Sequence, residues 1–211
     1  MKNRIKPKNK KELIEVIRKE MMTQGVSADL NHIDVSEMET LSYLFSPKQG
    51  LRLFNGDVSQ WDVSRVKEMD WMFSESEFNG DLSKWDVSSV RNMGDMFFRS
   101  SFQGDISKWE VSNVKDMRWM FAESQWNRPL EEWTISADCK TQGMFDDSAL
   151  LNQLIQVIMP DRAQDKSTFS RLFEDRLDSD FYSVRTMWRQ VMLEQSFATP
   201  HPGQVGKKPR L

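Results

Sequence analysis

The sequence is poor in the residues that form disulfides and nucleophilic sites. It has one cysteine and two histidines in 211 residues, so an intramolecular disulfide is impossible. A nucleophilic role for Cys139 would need a histidine partner and an orienting group. Neither His32 nor His201, which stand far from it along the chain, is expected beside it. The simpler interpretation of Cys139 is a small buried side chain.

The sequence also lacks the motifs of cofactor sites and the long apolar runs of membrane proteins. It contains no phosphate-binding loop, zinc-ligand spacing or nucleophile elbow, so we expect a non-enzymatic protein without cofactor or metal. No apolar run approaches the roughly 20 residues of a membrane span. The first residues lead through a lysine cluster without the apolar segment of a signal peptide. The expectation is a cytoplasmic protein without membrane contact.

Acidic residues are in excess, and they are unevenly distributed. Residues 54–148 carry ten Lys or Arg against eighteen Asp or Glu, a net charge of −8, whereas residues 1–53 and 149–211 carry +3 and +2. Phosphates would approach a surface of like charge in the middle region, so direct nucleic-acid binding is not expected. A protein partner with a basic surface is the better electrostatic match.

The most informative feature is a stretch that recurs every 24 residues. The sequence motif of residues 78–97 recurs at 54–73 and 102–121, and a diverged copy of it lies at 126–145. A partial first copy begins at Leu30, and its link at 46–53 is four residues longer than the link at 74–77. A fixed period in this range predicts a solenoid, in which each repeat stacks on its neighbours. We number about five copies, 1 to 5, as residues 30–53, 54–77, 78–101, 102–125 and 126–148.

Each copy shows two periodicities, which predict an α/β solenoid. Trp85 and Val87 alternate with polar residues, as in a half-buried strand. Val90, Met93 and Met96 then fall three apart, as in a helical turn. In the Asn-Gly-Asp step we expect glycine to supply a positive φ.

The two ends of the chain read as helical caps on this array. In residues 1–29, Asn9 is the predicted N-cap of an amphipathic helix that Gly25 ends. Residues 149–197 are predicted to form a C-terminal helical cap. Its three helices are Leu150 to Ile158 before Pro160, one that begins at Ser167, and one from about Phe181 to Phe197. Residues 198–211 are expected to be a disordered tail.

The repeat text resembles the BspA-like branch of the leucine-rich-repeat proteins. The likeness rests on Phe-Asn-Gly-Asp-(Ile/Leu)-Ser-x-Trp-Asp-Val-Ser-x-Val-x-x-Met-x-x-Met-Phe, which residues 54–97 match nearly position for position, and it covers roughly residues 10–148. The resemblance implies a leucine-rich-repeat-like solenoid that binds other proteins. Many members of that family are bacterial surface lipoproteins, whereas this sequence shows no lipid-attachment cysteine near its start.

Two ladders of carboxylates could be interpreted as metal sites or as structural groups. They consist of Asp57, Asp81 and Asp105, and of Asp62, Asp86 and Glu110. Calcium takes six to eight oxygen ligands, but the glycine-rich nonapeptide of calcium-binding β-rolls is absent. Capping of turn amides is the favoured interpretation, so we expect no metal.

Candidate binding residues lie where the copies differ from one another. Positions that every copy repeats serve the core, so large side chains at variable positions are free to face a partner. The candidate partner-binding residues are Trp71, Asp95, Phe98, Arg99, Arg118 and Trp119. With copies about 4.8 Å apart, Trp71 and Trp119 should lie roughly 10 Å apart, with Asp95 between them. Exposed aromatic rings beside arginines are typical of binding hot spots. The alternative is that these rings pack against the C-terminal helices or a loop.

The sequence therefore predicts a protein-interaction module that binds its partner through an acidic repeat surface. One alternative is an inhibitor or immunity-type protein, for example an anti-defence protein, that blocks a basic site on a nucleic-acid-processing enzyme. A second alternative is a surface adhesin. The oligomeric state is left open.

Overall fold

A computed structural model of the chain describes residues 3–128, 130, 132–158 and 184–189. Its helices are α1, Lys10–Gln24, a short 3-10 helix at Pro47–Gln49, and α2, Ala149–Ile158; residues 184–189 are also helical. Between 30 and 148 the described chain consists mainly of turns, bends and isolated parallel bridges.

The N-terminal helix begins and ends where the sequence predicts. The Asn9 side chain accepts a hydrogen bond from the Glu12 amide, and the Glu12 carboxylate accepts one from the Lys8 amide. Gly25 ends the helix with a φ of 83°. The apolar face of α1 joins the common core, and Lys10 donates to the carbonyl oxygen of Ser42 in copy 1. The predicted N-cap and C-terminal stop are therefore confirmed.

Successive copies pair side by side, in the order of the sequence. A single bridge position repeats in each, and parallel bridges join Thr40, Glu68, Asn92, Asp116 and Lys140 in turn. In copy 3 the amides at positions 93, 95, 97 and 99 donate to carbonyl oxygens of copy 4, at 2.8 to 3.0 Å. The amides at 96, 98 and 100 instead donate to the carbonyl three residues back in their own copy. Amides that donate to the next copy therefore alternate with amides that donate within their own copy, and both kinds are hydrogen-bonded without an extended strand.

Two positions in each of copies 2 to 4 take a left-handed backbone conformation. These residues are Trp71, Glu75, Asp95, Arg99, Trp119 and Glu123, with φ between 52° and 57°. For a non-glycine residue this conformation costs roughly 1–2 kcal/mol. Each of the six amides donates to a carbonyl oxygen of the next copy, so the pairing between copies offsets the cost.

Local structure within a copy differs from the predicted strand and helical turn. The amide of Trp85 donates to the carbonyl of Leu82, and the amide of Val90 to that of Val87. These amides are therefore engaged in turns and do not pair with a neighbouring copy as strand amides would. The parallel bridge of copy 3 lies at Asn92, outside the segment of alternating residues that contains Trp85 and Val87.

The glycines of the Asn-Gly-Asp steps serve close approach, and the prediction of a positive φ there was wrong. Positive φ among the described glycines is confined to Gly25, Gly50 and Gly143. A Cβ on Gly80 would lie 2.7 Å from the Phe78 ring, and one on Gly56 would lie 2.0 Å from the carbonyl oxygen of Ala28. A side chain here would collide with the phenylalanine ring of the same copy and with the backbone of the preceding segment, so glycine is required for packing.

Aromatic side chains form the core in continuous stacks along the row of copies. Phe45, Phe73, Phe97, Phe121 and Phe145 stack with centroids 5.3 to 5.6 Å apart and planes within 10°. Four buried indoles each donate from Nε1 to a carbonyl of the preceding copy, at 2.9 to 3.0 Å: Trp61 to Leu30, Trp85 to Val58, Trp109 to Leu82 and Trp133 to Ile106. The residues that every copy repeats are therefore structural.

At the C-terminal side, α2 continues the core beyond copy 5. Leu150, Leu151 and Leu154 are buried, and the amide of Leu150 donates to the carbonyl of Trp126. In residues 184–189, Val184 is buried in the same cluster. Pro160, the helix predicted to begin at Ser167 and the tail predicted at 198–211 lie outside the described residues. No helix in the described part of the chain combines the length and hydropathy needed to cross a bilayer.

Candidate partner-binding pocket

The candidate site lies at a left-handed position that repeats through the copies. Tyr43, Trp71, Asp95 and Trp119 are equivalent residues, all with φ between 52° and 62°, and Gly143 continues the series in copy 5. The rings of Tyr43 and Trp71 stack with centroids 5.8 Å apart and planes 6° apart. Trp119 is 38% exposed. Asp95 thus stands between two tryptophans in a row of aromatic residues.

A pocket of about 110 Å³ opens around Asp95. We call it the Asp95 pocket. Its lining residues are Asp70 and Trp71 of copy 2, Asn92, Gly94 and Asp95 of copy 3, and Asp116, Arg118 and Trp119 of copy 4. The structure therefore brings together four of the six candidate residues, Trp71, Asp95, Arg118 and Trp119.

Two of the three carboxylates in the pocket have hydrogen-bond partners in the chain. Asp70 accepts from the Ser42 hydroxyl at 2.5 Å. Asp116 accepts from Nε and Nη2 of Arg118. Burial by itself would raise the pKa of Asp116, but the hydrogen bonds from Arg118 hold that pKa below its ordinary value. Arg118 is thereby occupied within the pocket.

The third carboxylate, that of Asp95, differs from the other two in its hydrogen bonding and its pKa. No described residue donates a hydrogen bond to it, and burial together with the negative charge of Asp116 raises its pKa to about 6. The guanidinium of Arg118 acts in the opposite direction but does not outweigh them. A half-buried acid without a donor is a group whose charged form an incoming cation would stabilise.

The remaining two candidates, Phe98 and Arg99, lie outside the Asp95 pocket. The guanidinium of Arg99 lies 4.8 Å from the centroid of the Phe98 ring and makes a two-point hydrogen bond to Glu123, at 2.8 and 3.1 Å. Phe98 borders Trp71, with centroids 6.0 Å apart. These side chains form a neighbouring patch, in which Arg99 is already paired.

Comparison with known proteins identifies a family. The family described as "Mycoplasma protein of unknown function, DUF285" matches residues 17–123, 41–158 and 98–175, which together span most of the chain. The chain belongs to this family. The first two matches begin 24 residues apart, the length of one copy. No curated protein matches the chain, and no solved structure matches it.

In this DUF285 chain, sequence reasoning missed four residues of the pocket: Asp70, Asn92, Gly94 and Asp116. Variation between copies, which identified the other four lining residues, also occurs at the positions of these residues. The position of Gly94 holds Asp70 in copy 2 and Arg118 in copy 4, and the position of Asn92 holds Glu68 and Asp116. Comparison of every column where the copies differ would have included them.

The carboxylate ladders of this DUF285 chain are engaged with the backbone. Asp57, Asp81 and Asp105 accept from the amide two residues on, at 2.8 to 3.0 Å. Asp62, Asp86 and Glu110 do the same at 3.0 to 3.1 Å. Among the described residues, no group of three or more His, Cys, Asp or Glu is placed to hold a metal ion.

Cys139 is partly buried, whereas we expected a small buried side chain. Burial nevertheless raises the pKa of its thiol to about 11. His32 lies in copy 1 with Nε2 3.6 Å from the Glu20 carboxylate, whereas Cys139 lies in copy 5. His201 is outside the described residues.

Proposed function

We propose that this chain is a non-enzymatic interaction module, a leucine-rich-repeat-like solenoid that binds a partner protein through the surface around the Asp95 pocket. The observation that carries the proposal is the separation of roles along each copy. The apolar positions repeated from copy to copy are buried, whereas the positions of Trp71, Asp95, Arg118 and Trp119 vary between copies and line one pocket. Aromatic and arginine side chains around a pocket are the composition of binding hot spots.

The test is capture of the partner from the protein's own cells, followed by calorimetry with the purified partner. The double variant Trp71→Ala/Trp119→Ala should weaken binding by at least tenfold, as loss of hot-spot rings does. Met22→Ala is the matched control, because Met22 is an 85% exposed apolar residue on α1, away from the pocket. Thermal unfolding of each variant checks that the fold is retained. A double variant that binds every captured partner as tightly as the unchanged protein would exclude this surface.

The charge of the repeats supports a more specific candidate within this class, an inhibitor that blocks a basic site on an enzyme. Residues 54–148 carry the net charge of −8, and such a field accelerates association with a basic partner. The affinity should then fall steeply as salt rises from 50 to 500 mM, because screening shortens the reach of the charges. An affinity that does not change with salt would rule out this candidate and leave the interaction module.

A further inference from the structure

The Asp95 pocket is a gap in a row of large side chains. Tyr43, Trp71 and Trp119 carry aromatic rings at the left-handed position, and the short carboxylate of Asp95 takes the place of a ring in copy 3. The residue before it is Gly94, where copies 2 and 4 have Asp70 and Arg118. Two small residues in one copy therefore open the space of about 110 Å³.

The chemistry of the gap selects a cation. Its lining has three carboxylates, Asp70, Asp95 and Asp116, against the single guanidinium of Arg118. Arg118 is held by Asp116, and Ser42 donates to Asp70. The Asp95 carboxylate receives no hydrogen bond from the described residues, although Asp95 is half-buried. A cation that entered the pocket would supply the donors that this carboxylate lacks.

The walls of the gap favour a flat cation. Trp71 and Trp119 line the pocket from the copies before and after Asp95. A guanidinium is planar, stacks on aromatic faces and gives paired hydrogen bonds to a carboxylate, whereas an ammonium is a compact and strongly hydrated point charge. Cations already lie over rings nearby in the chain: the guanidiniums of Arg99 and Arg118 over Phe98 and Trp119, and the ammonium of Lys48 over Tyr43.

We propose that the Asp95 pocket binds an arginine side chain of the partner protein, with the guanidinium between Trp71 and Trp119 and hydrogen-bonded to Asp95. This inference rests on the proposed function, because it names the chemistry by which the same surface recognises its partner.

The test uses three pentapeptides with blocked ends, Gly-Gly-X-Gly-Gly, in which X is arginine, lysine or the neutral arginine analogue citrulline. Binding is followed through the indole N–H signals of the ¹⁵N-labelled full chain, with those of Trp71 and Trp119 assigned from single Trp→Phe variants. The arginine peptide should shift these two signals with a dissociation constant of roughly 1 mM, which corresponds to a binding free energy of about −4 kcal/mol. The lysine peptide should bind at least threefold more weakly, and the citrulline peptide should cause no saturable shift.

Two variants probe the pocket itself. Asp95→Asn removes the charge and should weaken binding of the arginine peptide at least fivefold. Gly94→Gln fills the gap and should abolish binding; its backbone position accepts glutamine, because Gln142 is the equivalent residue in copy 5. Glu15→Gln is the charge-matched control, on an exposed part of α1, and should change nothing. Equal binding of the arginine and citrulline peptides, or of arginine and lysine peptides, would overturn the assignment, as would an Asp95→Asn variant that binds like Glu15→Gln.

Measurements with the intact partner separate this inference from the proposed function. If Asp95→Asn and Gly94→Gln bind the partner normally while Trp71→Ala/Trp119→Ala does not, the arginine site is wrong and the interaction surface stands. If no variant of this surface changes partner binding, the proposed surface is wrong, whatever the peptides show.

Discussion

The indole Nε1 of Trp85 donates to the carbonyl oxygen of Val58, 3.0 Å away in the preceding copy. The same bond repeats at Trp61, Trp109 and Trp133. Each of these rings fills the core of its own copy and gives a backbone carbonyl of its neighbour a second hydrogen bond, beside the turn bond that this carbonyl already accepts. The register between copies is thus fixed by a side chain as well as by the backbone.

Trp85→Phe should therefore destabilise the fold more than the lost ring area alone implies. Trp85 is 4% exposed, and the substitution removes one of the two donors to the Val58 carbonyl, which keeps the bond from the Trp61 amide. We expect the free energy of unfolding to fall by about 2–3 kcal/mol, measured by urea unfolding. Trp119→Phe is the control, because that indole is exposed, and it should cost less than about 0.5 kcal/mol. Equal losses at the two sites would show that the indole bond contributes nothing.

Asp95→Asn should stabilise the fold at neutral pH. The pKa of Asp95 is raised to about 6 in the folded protein, so its charged form opposes folding above that pH. The groups that face it are Asp70, Asp116 and Arg118. We expect Asp95→Asn to gain about 1–3 kcal/mol at pH 7.5. The gain should shrink as pH falls from 6 towards 4, where the unchanged chain becomes protonated.

Glu15→Gln should show no such gain at any pH, because Glu15 is an exposed residue of α1. A gain from Asp95→Asn that stays constant between pH 4 and 8 would contradict the assigned pKa. Chemical-denaturant titrations at each pH measure the difference.

Asp86→Ala should destabilise the fold in the opposite pH window. Hydrogen bonds from the Ser88 hydroxyl and amide lower the pKa of Asp86 below its ordinary 3.8. The stabilisation is therefore present above about pH 4 and is lost as pH falls through the lowered pKa. We expect a cost of about 1 kcal/mol at pH 7, which shrinks as pH falls below about 4. Asp86→Asn keeps an acceptor oxygen and should lose less stability, with a loss that also shrinks towards low pH; if Asp86→Asn loses nothing at pH 7, the charge of Asp86 is irrelevant.

Glu75→Asn should raise stability, because asparagine tolerates the left-handed conformation better than glutamate. Glu75 has a φ of 53° and an exposed side chain. We expect a gain of about 0.5 kcal/mol in thermal unfolding. The matched control is Glu77→Asn, two residues on in the same exposed link, where φ is not positive. This control should give no gain, and a similar gain at both positions would point to the loss of charge instead.

Gly143→Ala should cost more than Gly50→Ala, although the two glycines have similar φ values of 66° and 68°. A Cβ on Gly143 would lie 2.3 Å from Nε1 of Trp119, whereas nothing lies within 4 Å of one on Gly50. We expect an excess cost of about 1 kcal/mol. The excess should disappear when Trp119→Ala is combined with Gly143→Ala, as a double-mutant cycle can measure. An excess that survives in the combination would place its origin elsewhere.

The sequence predicts the features that follow from periodicity and capping, and it fails where hydrogen-bonding geometry decides. The Asn9 cap and the Gly25 stop depend on local contacts, and both were found. The left-handed conformation at Trp71 and Trp119 has no local cause, because tryptophan does not favour it; pairing with the next copy imposes it. Proximity of Trp71, Asp95 and Trp119 follows from the 24-residue period alone. The pocket additionally needs Gly94, whose role appears only when the neighbouring copies surround it.

Because the bridges between copies 2 to 5 keep one register, a whole copy can be gained or lost without altering the backbone register of those that remain. An in-frame tandem duplication of the 24 codons of one copy would add one copy to the array and one ring to each aromatic stack. Each added copy would bring two more left-handed positions whose side chains the core does not specify. Genetic recombination could thus assemble new binding surfaces from units that already fold.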